Sequence, residues 1–320
     1  MSQITDLNKH ELRVALIVVN YNGMAIKFGN KSILRLFFES LYKTSYSNYK
    51  TVVVDDKSDD GSLEYIKSMG ADAIELKRNI NHFSRQNNIG IKYAVKKYDP
   101  DYFILLNNDL IFKDKTWLSK MVDVAQKSKA GVIGCNFIPP SAKMPILDSN
   151  AAFSNMDHGA PLTACFMISK EAIKKVGVLD EGFLTSWEDI DYCVRTRLNN
   201  LPVVRADAVT IVHLEGFSSI KHKNSSRRDW RFYGDRISMV YFLLKKYKKS
   251  PYKEKLNTLL IYFGSCILWT YGNTAGKKRK LINFKDRKYW RLKESLKVLF
   301  LMTIMRKRIT QNDLIKVKET

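Results

Sequence analysis

Four places along the chain hold side chains able to accept a proton or carry a charge. Asp55-Asp56 closes one apolar run, and Asp109 closes another in Asn107-Asn108-Asp109. A third cluster is Glu188-Asp189-Ile190-Asp191, and a single imidazole, His213, ends a β-branched stretch. A positioned carboxylate takes the proton from an attacking hydroxyl. A carboxylate beside an imidazole is a donor set for a divalent metal, and such an ion neutralises the charge of a departing diphosphate. Each group has a plainer use. Acidic residues at a helix start cap it, and a lone histidine is commonly structural.

The elements around these residues decide whether they meet. Val14-Ala-Leu-Ile-Val-Val19 and Thr51-Val-Val-Val54 are continuous apolar runs, as expected of strands covered on both faces. Ala73–Leu76 and Tyr102–Leu106 read as two further strands. Helical spacing fills the intervals at 30–43, 62–69 and 87–97. Strands alternating with helices predict right-handed βαβ units and a parallel sheet. In such a sheet ligands sit beyond the carboxyl ends of the strands, so Asn20, Asp56 and Asp109 are expected to line one crevice. Residues 130–216 are more mixed. Val132-Ile133 and Phe166–Ile168 read as short strands, Lys170–Val176 and Trp187–Leu198 as helices, and Val203–Val212 as broken strand material leading to His213.

Six pieces of the chain, in order, resemble inverting glycosyltransferases of family 2. They are Val-Val-Asn-Tyr-Asn-Gly at 18–23, Val-Val-Val-Asp-Asp-Lys-Ser-Asp-Asp-Gly-Ser at 52–62, and Asn-Ile-Asn-His-Phe-Ser-Arg-Gln-Asn-Asn-Ile-Gly at 79–90. Leu-Leu-Asn-Asn-Asp at 105–109, Trp-Glu-Asp-Ile-Asp-Tyr-Cys-Val-Arg at 187–195, and His213 with Gly216 and Ser218 complete the set. The match is closer to the rhamnosyl- and galactofuranosyl-transferase branch than to the processive polymer synthases, whose QxxRW motif is missing. The resemblance implies a GT-A fold, a Rossmann-like, mostly parallel sheet flanked by helices. It implies a nucleoside-diphosphate sugar donor, UDP- or dTDP-linked, and a Mn2+ or Mg2+ ion. It also implies roles: Asp56 on the base, Asn20 beside the nucleoside, Asp109 and His213 on the metal, and Asp189 as general base. Asn107 stands where many relatives carry the first Asp of a DxD motif, which leaves Asp109 as the one carboxylate there and lowers the expected metal affinity. His82 and Gln86 stand where glycine is common, so a stiffer nucleotide loop is expected. Trp187 is either a core aromatic or a platform for the acceptor sugar, and Arg85 either reaches phosphate or is a surface charge.

Composition sets the remaining bounds. At 320 residues, 45% hydrophobic, the chain has material for a substantial core and about two domains. Four cysteines without a CxxC pair indicate a reducing compartment rather than a disulfide scaffold. The polar start, Met1 to His10, carries no secretory signal, which predicts a cytoplasmic chain. The net charge of +22 is unevenly spread: residues 1–216 hold 27 Lys and Arg against 25 Asp and Glu, and residues 217–320 hold 27 against 7. The boundary near 216 therefore divides a near-neutral catalytic domain, 1–216, from a basic helical region, 217–320. Within the latter, Leu259–Trp269 is strongly apolar but too short to span a bilayer, and basic residues flank it. These features fit a helix lying in the interface of an anionic membrane, at the inner face, with a glycan or lipid-linked acceptor. Basic runs with aromatics also suit nucleic acid, but no RRM, KH, zinc-finger or basic-zipper pattern accompanies them. A non-catalytic sugar-nucleotide binder is the other alternative, and it would have no use for the Glu188-Asp189 pair.

Overall fold

The computed structural model describes residues 12–145, 152–183 and 186–214, with short stretches between 238 and 256. The apolar run at 259–269, the helical spacing at 290–305, and Gly216 and Ser218 lie outside the described residues. Contacts divide the chain into two compact units, Met1–Glu181 with Glu188–Arg228 and Gly182–Trp187 with Asp229–Thr320.

In chain order the elements are β1 (Val14–Asn20), β2 (Lys27–Phe28), β3 (Lys31–Ser32), α1 (Ile33–Leu41), β4 (Tyr49–Asp55), α2 (Ser62–Ser68), β5 (Asp72–Glu75), α3 (Phe83–Tyr98) and β6 (Tyr102–Asn107). They continue as β7 (Leu110–Ile111), α4 (Trp117–Ser128), β8 (Val132–Ile138), β9 (Phe153–Asn155), β10 (Cys165–Ser169), α5 (Lys170–Val176), α6 (Glu188–Leu198) and β11 (Val203–His213). The main sheet runs β5-β4-β1-β6-β10-β8-β11-β7, with β9 paired to β11. Its first half, β5-β4-β1-β6, is wholly parallel. The second half is mixed, because β10 runs antiparallel to both β6 and β8, while β11 is parallel to β8. The sheet is thus mostly parallel on the side of the nucleotide-type turns and mixed beyond β6.

The apolar runs form strands because both faces are covered. Val14 through Val18 and Val52 through Val54 are buried, split by strand alternation between one core that includes α1 and α4 and another that includes α3 and α6. Each fully buried aliphatic side chain contributes roughly 1.5–3 kcal/mol of transfer free energy. Gly90 allows α3 to lie close: a Cβ there would stand 2.4 Å from Ile17 Cγ2.

Several elements differ from the sequence reading, which gave no counterpart to the short strands β2, β3, β7 and β9. Helix α3 begins at Phe83 rather than Asn87, because the His82 side chain caps it by accepting from the Arg85 N–H. Helix α4 had no counterpart in the periodicity assigned above; Trp117, Leu118, Met121, Val122 and Ala125 form its buried face. The broken stretch at 203–212 is one strand, β11, interrupted by a register shift between Ala206 and Thr210. In the second unit, the described residues place the Phe183 ring 4.9 Å from Tyr241 and the Trp187 ring 6.0 Å from Phe242.

Candidate functional site

The parallel register puts the strand ends side by side. Asn20 pairs with Asp55 across β1 and β4, and Val19 pairs with Asn107 across β1 and β6. Asn20, Asp56 and Asp109 therefore share one edge of the sheet, although 35 or more residues separate each from the next.

The first part of this edge is a closed hydrogen-bond lattice. Asn20 donates from Nδ2 to Asp55 Oδ2 at 2.7 Å and to Ser58 Oγ at 3.2 Å, and its Oδ1 accepts from Asn108 Nδ2 at 2.6 Å. Asp55 also accepts from the Ser58 amide and hydroxyl. The loop after β1 is tied to the loop after β4 by Asn22 Nδ2 to Asp59 at 2.8 Å, Met24 N to Ser62 Oγ, and Ala25 N to Asp60. Gly23 is required in this lattice, because a Cβ there would fall 2.5 Å from Asn20 Oδ1. Asp56 is buried, and its two oxygens accept the amides of Ile80 and Asn81 at 2.7 and 2.8 Å. The carboxylate thus orders the loop before α3, and each oxygen keeps a further lone pair. Arg85 sits 3.9 Å from the Glu181 carboxylate, largely exposed.

The second part is built by β6, β7 and β11. Antiparallel pairing sets His213 opposite Leu110, and the Leu214 amide donates to the Asp109 carbonyl at 3.0 Å. His213 Nε2 consequently lies 3.2 Å from Asp109 Oδ1, with the Phe137 ring 5.6 Å from the imidazole. Asp109 Oδ1 and Asn107 Oδ1 are buried and receive no hydrogen bond. Orphaned buried acceptors are costly, so two of them beside an imidazole form a ready set of ligand atoms. Carboxylate, carboxamide and imidazole together suit Mn2+ and the harder divalent ions, and the residues present therefore fit such an ion. Among the described residues no three His, Cys, Asp or Glu side chains gather into a metal cluster. Any ion here would keep coordination positions for an outside ligand.

Asp189 reaches this part through the loop before β10. Its carboxylate accepts the Ile190 amide at 2.8 Å, its own amide and that of Thr163. The neighbouring Ala164 carbonyl accepts the Asn107 amide at 3.0 Å. The Asp189 carboxylate and the Asn107 backbone are thus held by adjacent residues, Thr163 and Ala164, of one loop. Burial pushes the Asp189 carboxyl up to about 6, against the opposing pull of these three amides. The chain enters α6 through left-handed backbone at Ser186 (φ 60°) and Trp187 (φ 73°), a strained approach for a bulky residue. Downstream, Arg195 pairs with Asp191 at 2.8 Å and donates to the carbonyls of Val176 and Val178, which anchors the helix.

Of the six residues singled out from sequence, Asp109 and His213 meet where β7 and β11 pair, Asn107 ends β6 beside them, Asp189 is tied to the 163–164 loop that the Asn107 backbone also meets, and Asn20 and Asp56 stand at the adjoining strand ends. Three contributors were not singled out. Asp55 and Asn108 knit the strand ends together, and both were visible in motifs without a sign of that use. Thr163 acts through its backbone, which leaves no residue-type signal.

The mostly parallel sheet flanked by helices has the GT-A fold. The mannosyltransferase PcManGT from Pyrobaculum calidifontis, solved with GDP-Man and Mn2+, has this fold; it superposes with a TM-score of 0.59 at 12% identity, over 94% of this chain and 89% of its own. Residues 15–148 match the family model of Glycosyl transferase family 2. The chain is similar to that family over those residues, which make up fewer than half of its length. It is 22% identical over 239 residues to the low-salt glycan biosynthesis hexosyltransferase Agl10 of Haloferax volcanii, covering 66% of this chain and 70% of Agl10. It is 21% identical over 224 residues to the O-antigen biosynthesis protein RfbC of Myxococcus xanthus, covering 61% of this chain but only 17% of that much longer protein.

Proposed function

We propose that the chain transfers a sugar from a nucleoside-diphosphate donor to a hydroxyl of a glycan or lipid-linked acceptor, by a single displacement that inverts the anomeric carbon. The observation that carries this reading is the pairing of Asp109 with His213 beside Asn107, with buried oxygens of Asn107 and Asp109 that receive no hydrogen bond.

The roles are those the family resemblance implies, and the geometry supports them. Asp109 and His213 would hold a divalent ion, Mn2+ or Mg2+, with Asn107 Oδ1 beside them, and such an ion would supply neutralising charge for a departing diphosphate. Asp56 and the loop it orders receive the base, and Asn20 holds the adjoining strand ends in register beside the nucleoside. Asp189 takes the proton of the acceptor hydroxyl. A carboxyl raised to about 6 is ionised at neutral pH yet more basic than an ordinary aspartate, which suits that task. One base and one displacement need no second nucleophilic carboxylate.

The basic region 217–320 holds this domain at an anionic membrane surface on the cytoplasmic side, where a lipid-linked acceptor presents its sugar. Its excess of 20 positive charges supports this placement. Among the described residues no helix is long and apolar enough to cross a membrane. Flotation with anionic and neutral liposomes at low salt tests it: equal recovery on both removes the membrane role. The transfer itself is tested by incubating the protein with UDP-, dTDP- and GDP-sugars, with and without Mn2+. A donor consumed only by the wild type and not by Asp189→Asn supports the reading, and equal consumption by both overturns it.

A further inference from the structure

The loop ordered by Asp56 and the segment that leads toward α6 are joined by one side chain. The His82 ring spans them. Its Nδ1 accepts the Arg85 amide at 3.3 Å and caps α3. Its Nε2 lies 3.0 Å from the Glu181 carbonyl oxygen. With Nδ1 accepting, the ring proton resides on Nε2, which then donates to Glu181. His82 directly follows Ile80 and Asn81, whose amides are held by the two oxygens of Asp56.

Arg85, in the first turn of α3, also stands 3.9 Å from the Glu181 carboxylate through a largely exposed side chain, and the remaining described ties between α3 and this segment lie deeper. Asn88 donates to the Leu179 carbonyl and to Glu181 Oε1, and its Oδ1 accepts the Leu179 amide, so the segment is fixed to the body of the helix. His82 alone among these ties starts from the helix's first residue boundary, next to the ordered loop. A shift of residues 80–81 would therefore reach the Glu181 peptide through the imidazole, whereas the Asn88 clamp would not transmit it.

We propose that His82 is a positioning residue that relays occupancy of the nucleotide cradle to the 179–181 segment and so to the acceptor side of the site. This rests on the donor reading above, in which the loop at 79–81 receives the nucleotide. When that loop tightens, the ring draws the Glu181 carbonyl with it. Binding of the donor would thereby order the segment on which the chain approaches Asp189. The energetic form is ordinary coupling: a ligand stabilises the arrangement in which its loop and the linked peptide are both in place.

The experiment is hydrogen–deuterium exchange of the full-length protein, read on peptides covering 178–183, with and without Mn2+ and whichever of UDP, dTDP or GDP binds. Two variants separate the relay from the cap. His82→Asn and His82→Ser both keep a capping acceptor, but neither reaches the Glu181 carbonyl. In the wild type, nucleotide should slow exchange over 178–183 at least threefold. Each variant should bind nucleotide within about twofold of wild type by calorimetry and lose that slowing. Retention of the slowing in a folded variant overturns the relay, as does its absence from the wild type. A tenfold loss of nucleotide affinity in both variants makes His82 a nucleotide contact and also overturns it. Failure of all three nucleotides to bind the wild type sinks the donor reading itself, a result distinct from the others.

Discussion

The two parts of the sheet edge handle their buried polar groups in opposite ways. Around Asn20, Asp55 and Asp56 every carboxylate and carboxamide described is engaged by amides, hydroxyls or another carboxamide. Around Asn107 and Asp109 two buried oxygens accept nothing, and the nearby Asp189 carboxyl is raised to about 6. The first region spends its hydrogen-bonding capacity on holding a shape. The second withholds it. A folded chain tolerates unsatisfied buried acceptors where a ligand or a reaction repays the cost, and the contrast supports the proposed placement of the chemistry beyond β6, with positioning left to the turns after β1 and β4.

The sharpest way to break this contrast is Asp189→Asn. If the second region carries the chemistry, transfer should fall by about 10²–10⁴-fold, while nucleotide affinity measured by calorimetry stays unchanged. The same variant should not lose stability. The folded-state value lies above the unfolded one, so the ionised form at neutral pH is tolerated less well in the fold, and stability present at low pH is lost as pH rises through about 6. Replacing the carboxylate by a neutral amide should raise stability at pH 7.5 by an amount on the order of 2 kcal/mol, read by urea denaturation.

Next in size is Asp109→Asn. Mn2+ should then no longer strengthen nucleotide binding, with a loss of at least tenfold in the Mn2+-dependent affinity; His213→Ala should show a smaller loss in the same titration. An unaltered Mn2+ response in both variants would remove the metal assignment. The first region should behave in the opposite sense. Asn20→Ala strands Asn108 and parts of Asp55 and Ser58, and should cost about 1–3 kcal/mol in urea denaturation. Its folded fraction should keep most of its turnover, and a kcat loss rivalling that of Asp189→Asn would erase the distinction between the regions. The smallest expected effect sharpens the comparison in pH. kcat/KM should rise with pH through about 6 and level off above, since the base acts only when ionised. A profile flat from pH 5 to 8 would count against Asp189.

The parallel half of the fold was legible in the sequence because a strand covered on both faces must be apolar along its whole length, and Val14–Val19 and Thr51–Val54 are. Helix α4 gives a weak sequence signal because Thr116 makes no side-chain cap at its start and no acidic residue stands in its first turn. The start of α3 was misplaced by four residues because a histidine cap gives a weaker signal than Ser, Thr, Asp or Asn. The mixed half was harder for a topological reason. Strand β10 runs against its neighbours, and β11 carries a register shift, so neither follows the simple βαβ rule.

By itself the sequence determined which residues stand at the strand ends, since an apolar run must end where polar residues begin. It also carried the resemblance to family 2 glycosyltransferases, through six ordered motifs. Only the tertiary structure decided which of those residues are spent and which are left over. Asp55 and Asp56 are neighbours of like type, yet one knits strand ends and the other orders a distant loop. Asp109 acquires its imidazole partner, and Asp189 its basicity, from strands and loops remote in the chain. Hydrogen-bond satisfaction and burial are properties of what surrounds an atom in space, and residue type alone does not specify them.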